Sequence, residues 1–264
     1  KVRNTPRFRA TTVTISLLIA AFIVLVILGV VTHSPPDVLI KCLLSEEIRF
    51  AVKLSIITSI ISTSLCILVS MPVAYALARY TFPGKALLNM VMDIPMALPP
   101  IVAGVGLLLF FGVSPVGKSL AAMGLTFVFT PIGIIMAQFF VNLPYMLRVT
   151  RSTFQSVNPR YEYVAKTLGC TDAQAFWRVT LPMSWNGLLA GTVITWSKGI
   201  GEFGAGLMLA GATRMKTETL PLSLFLNMST GKLEVGISAA TILILISIVS
   251  LYVFERYGGS THAY

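Results

Sequence analysis

The chain has 264 residues, of which 55% are hydrophobic and only 11% charged, with a mean hydropathy of +0.83. Soluble domains carry about a quarter charged residues, so this balance excludes an ordinary soluble enzyme and points to a lipid environment. The net charge of +10 then reflects membrane topology, and no nucleic acid is expected as a partner.

A bilayer-spanning helix needs roughly 20 apolar residues. Six segments reach that length, near 11–32, 51–78, 87–111, 125–147, 185–211 and 235–254. Too little chain lies between them for a separate soluble domain. Residues 1–264 are therefore expected to form a single all-α, polytopic membrane domain with about six spans. The first segment is expected to span the bilayer and not to be a cleavable signal: its apolar run exceeds the usual h-region, and His33-Ser34-Pro35-Pro36 offers no small-x-small site.

In the second segment, Ser55, Thr58, Ser59, Ser62, Thr63 and Ser64 supply either a polar lining or hydrogen bonds between helices. In the third, Pro95, Pro99 and Pro100 remove backbone donors and break the helix. Lipid tolerates such a break only where protein or a water cavity satisfies the freed carbonyls, so this segment is expected to face the interior of an assembly. Asp93 just before it reads as a boundary residue or helix-end partner. Gly112 to Ser119 matches G-x4-G-K-S, the phosphate-cradling loop. That chemistry needs a strand before it, and here a membrane-length apolar run precedes it. A Gly/Pro/Ser turn between two spans is the better reading.

Residues 158–182 form a polar island between apolar segments. Asn158-Pro159 reads as an N-cap and first-turn proline. Tyr161, Val164, Ala165 and Leu168 make one apolar stripe, and Gly169 is the stop. Thr171 and Gln174 form a capping box for a second helix whose apolar face holds Ala173, Phe176 and Trp177. Leu181-Pro182 is expected to end it. Two short capped helices at a membrane surface suit a docking element.

The fifth segment contains Lys198 and Glu202, four residues apart. Charges inside a span are expensive and default to functional hypotheses. A mutually neutralising pair on one helix face is the favoured reading, with a pathway or gate lining as the other. Gly187 and Gly191 add a small-xxx-small face. Cys42, Cys66 and Cys170 have no metal spacing, and His33 and His262 leave no acid–base centre. No metal site or catalytic residue is expected.

Lysine and arginine sort the loops. With the N-terminus inside, the inner side collects Lys1, Arg3, Arg7, Arg9, Arg79, Lys85, Arg148, Arg151, Arg160, Lys166, Arg178 and Arg256. The outer side has only Lys41, Arg49, Lys53, Lys118, Arg214, Lys216 and Lys232. Both termini and residues 148–184 are thus expected in the cytoplasm.

Gly169, then nine residues, Val179, one residue and Leu181-Pro182 resemble the Gly-x9-Ile-x-Leu-Pro core of the EAA loop. This loop marks the membrane subunits of binding-protein-dependent ABC importers. By spacing, the Glu-Ala-Ala triplet falls on Tyr163, Val164 and Ala165; only Ala165 matches, with Glu162 one place early. Three further stretches, Phe82-Pro83-Gly84-Lys85, Asp93 to Gly104 (with Pro99-Pro100) and Gly201-Glu202-Phe203-Gly204-Ala205, resemble sulfate, molybdate and tungstate permeases. Lysine stands at 198 where arginine is common.

The resemblance implies a type I ABC importer fold and no catalysis by this subunit, which binds no cofactor; ATP and magnesium belong to a separate ATPase. It implies a homodimer gripped by two cytoplasmic ATPase subunits and served by an extracytoplasmic oxyanion-binding protein. Coupling would fall to Glu162, Val164, Ala165, Leu168, Gly169, Ala173, Phe176, Val179, Leu181 and Pro182. The pathway would involve Pro99, Pro100, Gly104, Lys198, Gly201, Glu202, Phe203 and Gly204. Close packing is the other role open to these glycines. Molybdate or tungstate is the expected cargo, with sulfate or thiosulfate as the alternative. An ion-coupled secondary transporter, the rival of another class, predicts internal repeats and more buried carboxylates than Glu202.

Overall fold

The computed structural model describes the backbone of residues 6–258 and the side chains of residues 8–252. Lys1, Arg3 and His262 lie outside the described residues, as do the side chains of Arg7 and Arg256. Every regular element among them is helical: α1 (Pro6–His33), α2 (Pro36–Leu44), α3 (Glu46–Arg79), α4 (Lys85–Ala97), α5 (Pro100–Gly112), α6 (Pro115–Ala122) and α7 (Pro131–Ser156). Then follow α8 (Arg160–Thr167), α9 (Asp172–Ala175), a π-helical turn (Phe176–Thr180), α10 (Leu181–Met183), α11 (Trp185–Ile200), α12 (Gly204–Ala210), α13 (Leu220–Ser229) and α14 (Leu233–Gly258).

Four described helices are long and apolar enough to cross a membrane: α1, α3, α7 and α14. The third expected span is instead a bent pair, α4 and α5 meeting at 110°. Pro99 and Pro100 cause the bend, since Leu98 and Pro99 are extended and Pro100 begins the next helix. The fifth expected span is also interrupted, at Gly201–Phe203. The fourth starts later than its hydropathy suggests: Thr130 caps α7 by accepting from the Gly133 N–H at 3.3 Å, and Pro131 takes the first helical position.

The centre is the α3–α7 pair with α11 against it. Lipid is as apolar as leucine, so helices associate through close packing and hydrogen bonds. Ser55, Thr58, Ser59, Ser62 and Thr63 are all buried on α3. Thr58 donates to its own helix at Leu54 O (2.8 Å), and Gln138 Nε2 of α7 donates to Gly199 O of α11 (3.0 Å) and to Thr58 Oγ1 (3.3 Å). Ser55 Oγ accepts from the Leu220 N–H at 2.8 Å. Thr58 and Ser55 thus join helices within one chain, whereas Ser59 and Ser62 donate back to their own helix; Ser64 alone of the series faces outward. The outer helix α1 leaves its apolar length exposed beside α14, with a buried Ser34–Ser238 hydroxyl contact of 2.9 Å at its end.

The G-x4-G-K-S stretch has the wrong context for a phosphate loop. Helix α5 precedes it, and Ser114 caps α6 by accepting from the Gly117 N–H at 3.2 Å.

Candidate functional site: a rigid helix–glycine–helix loop

Residues 158–175 fold as the local sequence signals demand. Asn158 Oδ1 accepts from the Arg160 N–H at 3.0 Å, starting α8. At its end Gly169 adopts φ +92°, a conformation that costs a residue with a Cβ. The Gly169 N–H reaches Lys166 O (3.0 Å) and the Cys170 N–H reaches Ala165 O (3.1 Å). Together these bonds form a Schellman closure. The capping box of α9 is complete, with Thr171 N–H to Gln174 Oε1 at 2.9 Å and Gln174 N–H to Thr171 Oγ1 at 3.3 Å. Lys166 pairs with Asp172 across the turn, which raises the lysine pKa.

The second helix does not end at Pro182. A π-helical turn precedes it, and Leu181 N–H bonds back to Phe176 O. The widened turn receives a proline that would clash inside a regular α-helix.

The loop has two unlike faces. Tyr161, Tyr163, Val164, Leu168 and Trp177 are exposed, Leu168 at 81%. Gly169, Ala173 and Pro182 are also exposed, while Ala165, Phe176, Val179 and Leu181 are half-buried. Phe176 turns toward α3, edge-on to Tyr75 at 4.9 Å between ring centroids and near Phe154. Leu168 and Val164 thus extend the apolar stripe outward, where none of the described residues covers them.

Glu162 faces the other way and is only 5% exposed. Its carboxylate accepts from Thr180 Oγ1 (2.6 Å), Arg79 Nε (2.7 Å) and Tyr75 Oη (3.0 Å). Arg79 also donates from Nη2 to Val157 O at 3.0 Å. Burial pushes the Glu162 pKa up, but the bonds from Thr180, Arg79 and Tyr75 outweigh it and hold it below the ordinary carboxylate value. The carboxylate is engaged inside the chain, tying α8 to α3 and to the π-helical turn. Sequence reasoning missed Arg79, Tyr75 and Thr180 as its partners; an arginine ending a long apolar helix was the available signal.

At the centre, the expected Lys198–Glu202 pair does not form. Helix α11 stops at Ile200 with Gly201 as its cap, so position 202 leaves the helical register. Lys198 Nζ lies over the Tyr145 ring at 4.4 Å from the centroid. Glu202 is buried and accepts from the Ala205 N–H at 3.0 Å, capping α12. Gly104 and Gly204 are packing positions. A Cβ on Gly104 would stand 2.7 Å from Ala205 Cα, and one on Gly204 3.0 Å from Pro100 Cβ. These contacts seat α5 against α12. Pro99, Pro100 and Gly201 are exposed, and Phe203 is half-buried. A second deep carboxylate escaped the sequence reading: Glu218 is fully buried, accepts from the Met215 N–H at 3.2 Å and stands 4.0 Å from Arg214.

Residues 67–257 match the model of the binding-protein-dependent transport system inner membrane component. The chain belongs to that family. Among its relatives, a sulfate transport system permease protein CysW of Synechocystis sp. is 33% identical over 84% of this chain and 81% of its own length. A molybdenum transport system permease protein ModB of Mycobacterium tuberculosis is 36% identical over 77% and 76%. The Escherichia coli ModB is 33% identical over 76% of this chain and 91% of its own. A solved bacterial ABC transporter for the acidic polysaccharide alginate shares the fold, with a TM-score of 0.73 at 16% identity over 95% of each chain. The inward-facing MetNI methionine ABC transporter does so with a TM-score of 0.63 at 17% identity, covering 83% of this chain and 100% of that one. This permease is therefore a multi-pass membrane subunit of an ABC importer, with the type I fold expected from its sequence. The sulfate and molybdate permease resemblance is shared by its relatives.

Proposed function

We propose that this permease forms half of an ATP-driven import pathway for a tetrahedral oxyanion, molybdate or tungstate first. Sulfate is the second reading, favoured by a sulfate permease relative that covers 84% of the chain. Two copies would enclose the pathway, with two ATPase subunits in the cytoplasm holding ATP and magnesium and a binding protein outside. Both termini would lie inside. The subunit itself needs no cofactor and catalyses nothing.

The observation that carries the coupling role is the exposed apolar face of Val164, Leu168 and Trp177 on a loop whose opposite face is locked by Glu162. An apolar patch at a polar surface marks an interaction site, and the turn geometry fixes its shape. Force from the ATPases would enter there. A dianion would cross by hydroxyls, backbone amides and helix N-termini, which bind without holding.

The test is uptake by proteoliposomes holding the permease, its ATPase and its binding protein. Labelled molybdate should enter only with internal or external ATP on the ATPase side, and unlabelled tungstate should compete. Uptake driven by an ion gradient without ATP would refute the importer mechanism. Preference for sulfate over molybdate would move the cargo to the second reading.

A further inference from the structure

We infer that a free tetrahedral oxyanion binds in a pocket between α4 and the last turns of α7, held by Arg148 and Arg151. Choosing this anion class rests on the cargo proposed above; the anion-binding character rests on the guanidinium groups themselves.

Four residues of α7, Arg148, Arg151, Ser152 and Gln155, recur at i, i+3, i+4 and i+7 and so share one face. They line a cavity of about 150 Å³ whose opposite wall carries Asn89 and Asp93 of α4. Leucine and methionine side chains close the remainder. This is a small chamber of mixed polar and apolar lining at the loop end of the molecule, on α4 ahead of the 110° bend where it gives way to α5.

The donors are not all used. Arg151 Nη1 donates to Asn89 Oδ1 at 2.7 Å, but its Nε is buried without a partner. A buried unsatisfied donor is costly, more so on a charged group, and an anion bonded to it would remove that cost. Arg148 Nη2 donates to Asp93 Oδ2 at 3.1 Å, with both side chains about half exposed. Such an exposed pair contributes little, so Arg148 can leave Asp93 for a doubly charged ligand. Two guanidinium forks against one carboxylate leave the chamber net positive. The planar forks match the oxygen edges of a tetrahedral anion, and Ser152 and Gln155 add neutral donors.

Under the proposed orientation the chamber faces the cytoplasm. It is a release-side station, where an anion leaving the pathway rests before dilution. Asp93 sets its strength: the carboxylate competes with the anion for Arg148 and keeps the affinity low enough for release.

The experiment uses the full chain assembled with its ATPase in maltoside detergent, free of phosphate, nucleotide and binding protein. Labelled sulfate and tungstate are titrated by equilibrium dialysis. Saturable binding of one anion per chain is expected, unaffected by equimolar chloride. Arg151→Gln should weaken it at least tenfold, and Arg151→Lys should weaken it less. Asp93→Asn should tighten it several-fold, a gain that no misfolded variant can mimic. Absence of saturable binding to the wild-type complex overturns the inference, as does an Asp93→Asn variant that binds no more tightly. Displacement of the anion by phosphatidylglycerol would mark a lipid-headgroup site and also overturn it. Oxyanion uptake by the proteoliposomes with an empty chamber would sink only this inference. Import of some other solute beside a chamber that binds sulfate would sink only the cargo reading.

Discussion

Replacing Glu162 with alanine tests whether the loop's inner lock shapes its outer face. The substitution removes three hydrogen bonds at 2.6, 2.7 and 3.0 Å and leaves the Arg79 guanidinium, 8% exposed, with only Val157 O. Removing one partner of a buried ion pair costs about 3–5 kcal/mol. Helix α8 has 8 residues and is too short to stand alone in water, so this cost falls on local opening of the loop. Amide hydrogen exchange across residues 160–183 should accelerate at least a hundredfold, up to the limit set by the loop's own stability, while the centres of α3 and α7 keep their protection. Co-purification of the ATPase should fall with it. Replacing Arg79 and Glu162 together with methionine should restore much of the protection, because no buried charge is then stranded. The pH dependence has a definite sign. The folded pKa lies below the ordinary value of 4.5, so the lock is complete above that value. It weakens only as pH falls through the lowered pKa, and between pH 6 and 9 loop exchange, corrected for intrinsic chemistry, should be flat. Unchanged exchange and unchanged ATPase capture in Glu162→Ala would refute the positioning role.

Leu168→Glu should leave the melting temperature within error, because the side chain is 81% exposed, yet cut ATPase co-purification at least tenfold in a pull-down. Gly169→Ala should destabilise the loop by about 1 kcal/mol or more, since φ is +92°, and hydrogen exchange localised to residues 165–172 reads it. Gly104→Val should cost about 1–3 kcal/mol by overpacking against the Ala205 backbone, visible as a lower thermal midpoint in detergent. Lys198→Met and Glu202→Gln should act additively to within about 0.5 kcal/mol in a double-mutant cycle of thermal stability, because the two side chains serve different partners.

Signals confined to a few residues were legible. Thr171 with Gln174, the glycine at 169 and the prolines at 99 and 100 each act on backbone within a few residues of themselves, so sequence spacing suffices to place them. Pairings across the fold were not. Glu162 finds Arg79 and Tyr75 across more than eighty positions, and nothing in the local string distinguishes a carboxylate turned inward from one turned outward. The Lys198–Glu202 expectation failed for a local reason: it assumed an unbroken helix through Gly199-Ile200-Gly201, and the second glycine ended it. Pro182 erred in the other direction, because a π-helical turn absorbs a residue that single-helix reasoning treats as a stop.

Beyond that turn the chain stays close to helical, with one turn residue, Ser184, between α10 and α11. Ser184 N–H bonds to Thr180 O at 3.0 Å and Leu188 N–H to Ser184 O at 3.0 Å, so this residue links the helical stretch that begins at Asp172 on the loop to the one that ends at Ile200 at the centre. At 1.5 Å per residue this is a contour of about 40 Å. One end carries Trp177 on the exposed face, and the other stops at Gly201, beside the carboxylate that caps α12. The loop's second helix and the fifth span thus follow one another across one turn residue, with the glycine break at the far end. Under the proposed coupling role, a push at the surface has a nearly continuous backbone route to the glycine break.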